Sequence, residues 1–292
     1  MINYLFPLYR PPAEADNIIL QATYGCSYNN CSFCSMYKDK KYQVRDINTL
    51  FKEIDILSSL YPNAHKLFLA DGDAFSLDTE YLIPLLQYIK ESFPKIKRVS
   101  AYASAQNILN KSQAELRLLY ENNLNLIYFG IESGNDKVLK KITKGVSSSQ
   151  IIDALNKTSS SGIKISATVI LGIGGEKYSN EHIKDSAKIV NATTINYLST
   201  LLLGIEEGDK DNFYKHFADF IPLRDSQIIV EQKNLIELLN PTNKIIFRSN
   251  HASNALHLSG VIPKDKSRLL SELEFALHVG EAAFVPSIFR GF

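Results

Sequence analysis

Short runs that are almost continuously apolar or β-branched recur at residues 17–25, 66–71, 98–103, 125–131, 164–171, 196–203 and 244–247. Such runs suit strands of a parallel sheet, buried on both faces. Between them lie stretches with apolar residues every three or four positions: DINTLFKEIDILSSLY, TEYLIPLLQYIKESF, KSQAELRLLYENN, SSSQIIDALNKTSSSG, NEHIKDSAKIVN and SQIIVEQKNLIELLN. One more, KDKSRLLSELEFALHVG, follows the last run. These stretches predict helices. Ser112 stands at one helix start and Gly162 just past a helix end, which fits capping chemistry.

Strand-then-helix units repeated along one chain predict an α/β fold with right-handed crossovers. The expected architecture is a partial or near-complete (β/α) TIM-type barrel with parallel strands. A full barrel takes about 250 residues, and this chain has 292. A doubly wound open sheet is the second arrangement that fits. The expected organisation is a Pro-rich arm over 1–16, a core barrel over 17–203, and an extension over 204–292 that completes the barrel and covers the substrate side. The least regular piece, GIEEGDKDNFYKHFADFIPLR at 204–224, reads as a long loop or lid.

Composition alters this picture little. With 45% hydrophobic residues a sizeable core is available, and a net charge of +1 gives no case for nucleic acid or an acidic membrane. The longest apolar runs, such as LSTLLLGI, are too short to span a bilayer. The start, MINYLFPLYRPP, lacks the basic-then-apolar form of a signal peptide. A cytoplasmic protein acting on a small-molecule substrate is the expectation.

Cysteine usage alters it most. The chain has three cysteines, Cys26, Cys31 and Cys34, all in CSYNNCSFC directly after the first predicted strand. Ligands collect at the carboxyl ends of strands in barrels and open α/β sheets alike. An odd count without a secretory signal argues against a disulfide framework and for reduced thiols. Cys31 and Cys34 are spaced to hold one metal centre, and Cys26 adds a third thiolate from the same loop. Structural zinc wants four ligands, whereas three thiolates suit a 4Fe–4S cluster with one iron left open. A zinc knob completed by a distant histidine, or plain buried cysteines, are the other readings of these residues.

The segment resembles the cluster loop of the radical S-adenosylmethionine (SAM) enzymes. Their usual spacing is three residues then two, with an aromatic before the last cysteine; here it is four then two, with Phe33 in the aromatic place. Further predicted strand ends resemble the family in order: LADGDAF, AYASAQN, YFGIESGND and SATVILGIGGE. The resemblance covers about residues 17–200. It implies that Phe33 packs near the adenine and that Gly72 and Asp73 receive the methionine amino group of the cofactor. Glu132 and Ser133 would contact its ribose and methionine parts, and Ser104 would make a further contact with the cofactor. Ile170 and Gly172 would lie along the adenine, with Glu176 bracing the turn. It further implies a 4Fe–4S cluster, S-adenosylmethionine, its cleavage to a 5′-deoxyadenosyl radical, and an electron donor such as flavodoxin or ferredoxin.

Other readings of the same segments are weaker or comparable. LADGDAF also suits a plain turn, whereas a calcium loop counted from Asp71 finds Ser76 where Gly is needed and Leu82 where Glu is needed. A dinucleotide fingerprint finds Lys177 in place of its last Gly. Glu132 and Ser133 also suit a cap on the helix that starts near Asp136.

Past the resemblance, IIFRSNHASNALHL sets Arg248, His251 and Asn254 at the end of a predicted strand. These suit substrate contact, with Arg248 holding an anionic group and His251 giving or taking a proton. They equally suit a loop whose polar side chains satisfy its own backbone. The basic stretch KDKKYQVR at 38–45 fits a cofactor carboxylate, an acidic electron donor or a solvated loop. The lack of further cysteines argues against auxiliary thiolate-ligated clusters. An iron–sulfur electron carrier and a zinc-stabilised binding protein remain as competing functions.

Overall fold

The apolar runs form strands and the amphipathic stretches form helices in a computed structural model that describes residues 2–291. In chain order the elements begin with β1 (Ile18–Gln21), β2 (Thr23–Tyr24), β3 (Gln43–Val44), α1 (Ile47–Leu60), β4 (Lys66–Ala70) and α2 (Thr79–Ser92). Then come β5 (Arg98–Ala103), α3 (Ala105–Asn110), α4 (Gln113–Glu121), β6 (Leu124–Glu132), α5 (Asp136–Lys141) and α6 (Ser148–Ser160). The remainder is β7 (Lys164–Leu171), α7 (Gly175–Asn191), β8 (Tyr197–Leu202), α8 (Lys210–His216), α9 (Asp225–Leu238), β9 (Ile245–Ser249), β10 (Leu258–Ile262) and α10 (Lys266–Val279). Eight strands make one sheet in the order β1, β4, β5, β6, β7, β8, β9, β10, while β2 and β3 pair apart from it.

The chain divides into two compact units. The first comprises residues 2–29, 36–129 and 157–165. In it β1, β4, β5 and the body of β6 run parallel, each strand bonded to the next. Leu67, Phe68, Leu69 and Ala70 of β4 are fully buried, as a strand covered on both faces requires. Leu50, Ile54 and Leu57 of α1 and Leu82, Leu85, Leu86 and Ile89 of α2 are buried at helical spacing. Burying each such side chain contributes about 1.5–3 kcal/mol relative to exposure.

The predicted run 17–25 breaks at Ala22. Ala22 N–H donates to the Ala70 carbonyl, while the Ala22 carbonyl accepts from Arg45 N–H at 3.2 Å. The chain thereby leaves β4 and joins β3, so β2 pairs with β3 in antiparallel fashion. The N-terminal stretch is tied in by Glu14, whose Oε1 accepts from Arg98 Nη2 (2.7 Å), Ser100 Oγ (2.9 Å) and Tyr128 Oη (2.5 Å). Such a buried carboxylate needs this many donors to offset its lost hydration.

The second unit comprises residues 30–35, 130–156 and 166–291. Here β7, β8 and β9 are parallel, and β10 adds antiparallel to β9. The sequence pattern does not announce β10, because Ser259 and Gly260 interrupt its apolar run.

The stretch 204–224, expected as a loop or lid, contains α8 and a packed aromatic group. Phe213 and Phe217 are fully buried and Phe220 nearly so, and Phe220 meets Phe213 edge-on at 4.9 Å between ring centroids. Apolar residues one helical turn apart were the signal for this helix, masked by the Gly- and Asp-rich residues before it.

Candidate functional site

In the first unit, the turn after β4 carries Asp71, Gly72 and Asp73. Asp71 is fully buried and receives Lys40 Nζ at 2.7 Å, in an ion pair with almost no exposure on either side. Gln21 Nε2 and Gly25 N–H also donate to Asp71 Oδ2, each at 3.3 Å. Gly72 is required by the close approach of Tyr37, since a Cβ there would come 2.4 Å from the ring atom Cε2. The Asp73 carboxylate accepts from Ser27 Oγ and Asn107 Nδ2. Burial pushes its pKa up, and those two hydrogen bonds pull it part of the way back. Ser104 is the N-cap of α3, accepting from Asn107 N–H at 3.3 Å. Cys26, next to Ser27, is half-buried.

The basic stretch 38–45 is neither a solvated loop nor an open docking site at its two best-placed cations. Lys40 is buried against Asp71, and its Nζ also donates to the carbonyls of Leu5 (3.0 Å) and Pro7. Arg45 is buried with Glu53 in a two-pronged pair of 2.8 and 2.7 Å, and it donates to the Gln21 carbonyl as well. Of the other two cations of the stretch, Lys41 is exposed and Lys38 half-buried.

In the second unit, Cys31, Phe33 and Cys34 are half-buried. Cys34 N–H donates to the Cys31 carbonyl at 3.4 Å, so the segment between them is a tight turn. That turn rests on the residues after α5. Ser32 N–H donates to the Ile142 carbonyl at 3.0 Å, and Thr143 Oγ1 donates to the Asn30 carbonyl. The next residue, Lys144, forms an ion pair with Glu132 at 2.9 Å. Burial alone would push the Lys144 ammonium down, but Glu132 and the sulfurs of Cys31 and Cys34 outweigh it and hold its pKa above the usual lysine range.

Glu132 ends β6 in the left-handed region, at φ 59°. Ser133 is fully buried, its Oγ accepting from Asn135 N–H (3.1 Å) and lying 2.8 Å from His182 Nδ1. The cap of α5 is neither of these residues but Asn135, whose Oδ1 accepts from Lys137 and Val138 N–H. His182 is fully buried on α7, and burial pushes its pKa down to about 4, so the ring is neutral.

Ile170 is buried near the end of β7, and Gly172 follows at φ 81°. The turn is braced by Glu231 of α9, whose Oε2 accepts from Gly172 N–H at 2.7 Å. Glu176 is exposed, its Oε1 accepting from Gln227 Nε2 at 3.3 Å. Burial pushes Glu231 up to about 7, against the opposing pull of Ser179 and Gly172 N–H. Glu231 is 59 residues from Gly172 and looks like any polar position of an amphipathic helix, so no sequence signal marked it.

Thr168, Ser199, Arg248 and Ser259 are register partners across β7, β8, β9 and β10. They therefore share one face of the sheet, opposite the buried Leu198 and Phe247. Arg248 is exposed on that face and has no ion-pair partner among the described residues. In the following loop His251 Nδ1 accepts from Ser253 N–H at 3.2 Å, which puts the ring proton on Nε2. Burial, then the nearby His257, pushes the His251 pKa below its ordinary value. Asn254 is buried, and its Nδ2 donates to the Thr200 carbonyl (2.8 Å) and Ser249 Oγ (3.0 Å). Asn254 thus anchors the loop, while Arg248 is exposed and His251 half-buried.

Three thiols within nine residues are a donor set fit for a thiolate-bound iron–sulfur cluster, with Lys144 beside two of them to offset negative charge. Among the described residues none of the three is in a disulfide, and no three His, Cys, Asp or Glu side chains converge on one point. The fit therefore rests on donor chemistry. No described helix is long and apolar enough to cross a membrane.

The radical SAM superfamily family model matches residues 20–190. An uncharacterised methyltransferase of Pyrococcus horikoshii is 26% identical over 189 residues, which is 63% of this chain and 39% of the relative. A putative methylthiotransferase of Methanocaldococcus jannaschii is 24% identical over 183 residues, 58% of this chain and 39% of the relative. The chain thus spans about two-fifths of the length of these curated relatives. Among solved structures, the coproporphyrinogen III oxidase of Escherichia coli, a radical SAM enzyme, aligns with a TM-score of 0.59 at 16% identity over 76% of this chain and 52% of that one. Methylornithine synthase aligns with a TM-score of 0.53, also at 16% identity, over 76% of this chain and 63% of that one. These likenesses show the fold, a partial barrel with a mostly parallel sheet. The family match covers more than half of the sequence: this chain belongs to the radical SAM superfamily and is an enzyme of that type.

Proposed function

We propose that this enzyme holds one 4Fe–4S cluster through Cys26, Cys31 and Cys34 and binds S-adenosylmethionine beside it. When bound and reduced by an external one-electron donor such as flavodoxin or ferredoxin, that pair supplies a 5′-deoxyadenosyl radical able to take hydrogen from a substrate. The observation that carries this reading is the three-thiol segment inside the matched family region.

The chain's own residues take three kinds of role. Phe33 and Ile170 offer apolar surface for the adenine, with Gly172 held in place by Glu231. Asp73, Gly72 and Ser104 at the ends of β4 and β5, and Glu132 at the end of β6, supply polar groups for the methionine and ribose. Ser133 is buried and spent on His182, so it positions the turn after β6 rather than touching the cofactor. Arg248 holds an anionic group of a small-molecule substrate, His251 offers Nε2–H beside it, and Asn254 fixes the loop that carries His251.

Anaerobic reconstitution with iron and sulfide tests the reading. The wild-type protein should bind about four irons and release 5′-deoxyadenosine only when SAM and reductant are both present. Each single Cys→Ala change should abolish both. Zinc in place of iron, or iron without 5′-deoxyadenosine, would sink it in favour of a zinc-stabilised binding protein or an electron carrier.

A further inference from the structure

The three cysteines are not in equal surroundings. Residues 30–35 lie against the turn that ends α5, held there by the Ser32–Ile142 and Asn30–Thr143 hydrogen bonds. Thr143 adopts φ 51°, and Lys144 N–H folds back onto the Leu139 carbonyl at 2.9 Å. This geometry brings the side chain of Lys144 back over the end of β6. Its Nζ meets Glu132 Oε1 at 2.9 Å and would lie 3.1 Å from a Cβ placed on Gly130. The Lys144 side chain is only 17% exposed, and Glu132 only 13%. Lys141, from the same KKITK stretch, turns instead to Asp219 at 2.6 Å. One lysine of the stretch is therefore paired with Glu132 on the very turn that holds residues 30–35, the segment of Cys31 and Cys34.

We propose that Lys144 tunes the reduction of the three-cysteine centre: its fixed positive charge favours the reduced form, and Glu132 partly cancels that effect. The inference rests on the cluster reading given above. One-electron reduction by an outside donor adds one negative charge to the centre. A cation in a poorly solvated place nearby stabilises that added charge, and an anion in the same place opposes it. A loop-anchoring lysine would have no such signed effect. The pairing with Glu132 fixes where the ammonium sits and sets the balance of the two charges.

The test uses the full chain, reconstituted anaerobically and titrated with dithionite while the signal of the reduced cluster is followed by electron paramagnetic resonance. Lys144→Met should make reduction about tenfold less favourable, a fall of about 59 mV in the midpoint for one electron. Lys144→Arg should restore the wild-type midpoint. Glu132→Gln should move it the opposite way, upward. Equal midpoints in wild type and Lys144→Met at equal iron content would overturn the inference, as would a downward shift in Glu132→Gln. Should Lys144→Met fail to take up iron, the sign of the Glu132→Gln shift decides. A wild-type protein that takes up no iron overturns the cluster reading and this inference together. Loaded proteins with unshifted midpoints overturn the inference alone.

Discussion

Lys40 and Arg45 in the first unit and Arg248 in the second are the same kind of residue in opposite circumstances. The first two are buried, each matched by a carboxylate at 2.7 Å and by backbone carbonyls. Arg248 is exposed in a row of small hydroxyl side chains, with no ion-pair partner among the described residues. In sequence the KDKKYQVR stretch has the greater density of charge, and a cofactor carboxylate, an acidic electron donor and a solvated loop all fit it. Burial decides against all three for Lys40 and Arg45. A cation already matched by its own protein has little left for a ligand, whereas an unmatched one retains nearly all of its interaction energy.

The largest effect should come from breaking the buried pair. Arg45→Met leaves the Glu53 carboxylate buried without its two-pronged partner, and removing one member of such a pair costs about 3–5 kcal/mol. Urea unfolding should show this as a lower midpoint with an unchanged slope. Arg45→Met/Glu53→Leu should recover most of the loss, because the uncompensated charge is gone. If the single variant unfolds like wild type, the pair has no structural role and the contrast with Arg248 fails.

Burial separates the titratable groups as sharply as the cations. Glu231 is raised to about 7 from an ordinary 4.5, so the unfolded chain ionises first. Its contribution is present below 4.5 and is lost as pH rises through about 7. His182 is lowered to about 4 from 6.5, and its contribution is present above 6.5 and lost as pH falls through about 4. Each shift corresponds to about 3 kcal/mol at about 1.4 kcal/mol per pKa unit, and the two slopes oppose one another between pH 4.5 and 6.5. Unfolding measured across pH should therefore show Glu231→Gln gaining stability as pH rises and His182→Gln losing it. Parallel curves for both variants would contradict the assignment.

A smaller effect tests the turn after β6. Asn135→Ala removes the cap of α5 and should cost about 1 kcal/mol in thermal or urea unfolding. Ser133→Ala, which removes no cap, should instead show its effect in the affinity for SAM. In sequence Ser133 and Glu132 also suited this cap, as an alternative to cofactor contact, and the structure gives the cap to Asn135. Ser and Asn cap equally well, and which one does is set by the backbone, here turned by the positive φ of Glu132. The strands were legible because continuous apolar runs are local information: 98–103 and 164–171 match β5 and β7 to the residue. The cysteine segment drew notice because thiol chemistry resides in the residue type, and it lies inside the matched family region. Glu231, the Lys40–Asp71 pair and the edge strand β10 were not legible, since each takes its meaning from a partner distant in sequence or from pairing on one side only.

Arg248→Met carries the smallest expected change in stability and the most specific expected change in function. An exposed residue without a structural partner should alter unfolding by no more than about 0.5 kcal/mol. Because Arg248 is remote from the cysteine segment in sequence and stands on β9, iron content should stay at the wild-type level. Reductant-dependent release of 5′-deoxyadenosine in the absence of substrate should likewise be unchanged. What should disappear is retention of anionic small molecules. A panel of carboxylates and phosphates that slows or stimulates SAM cleavage by the wild type should have no effect on Arg248→Met, while neutral analogues should act on neither protein. Lysine at this position keeps the charge but not the planar fork, so Arg248→Lys should retain a weakened response. Equal responses of wild type and Arg248→Met to the panel would mean that the anion is held elsewhere. Arg248 would then be one more solvated cation, and the distinction from Lys40 and Arg45 would be one of exposure alone.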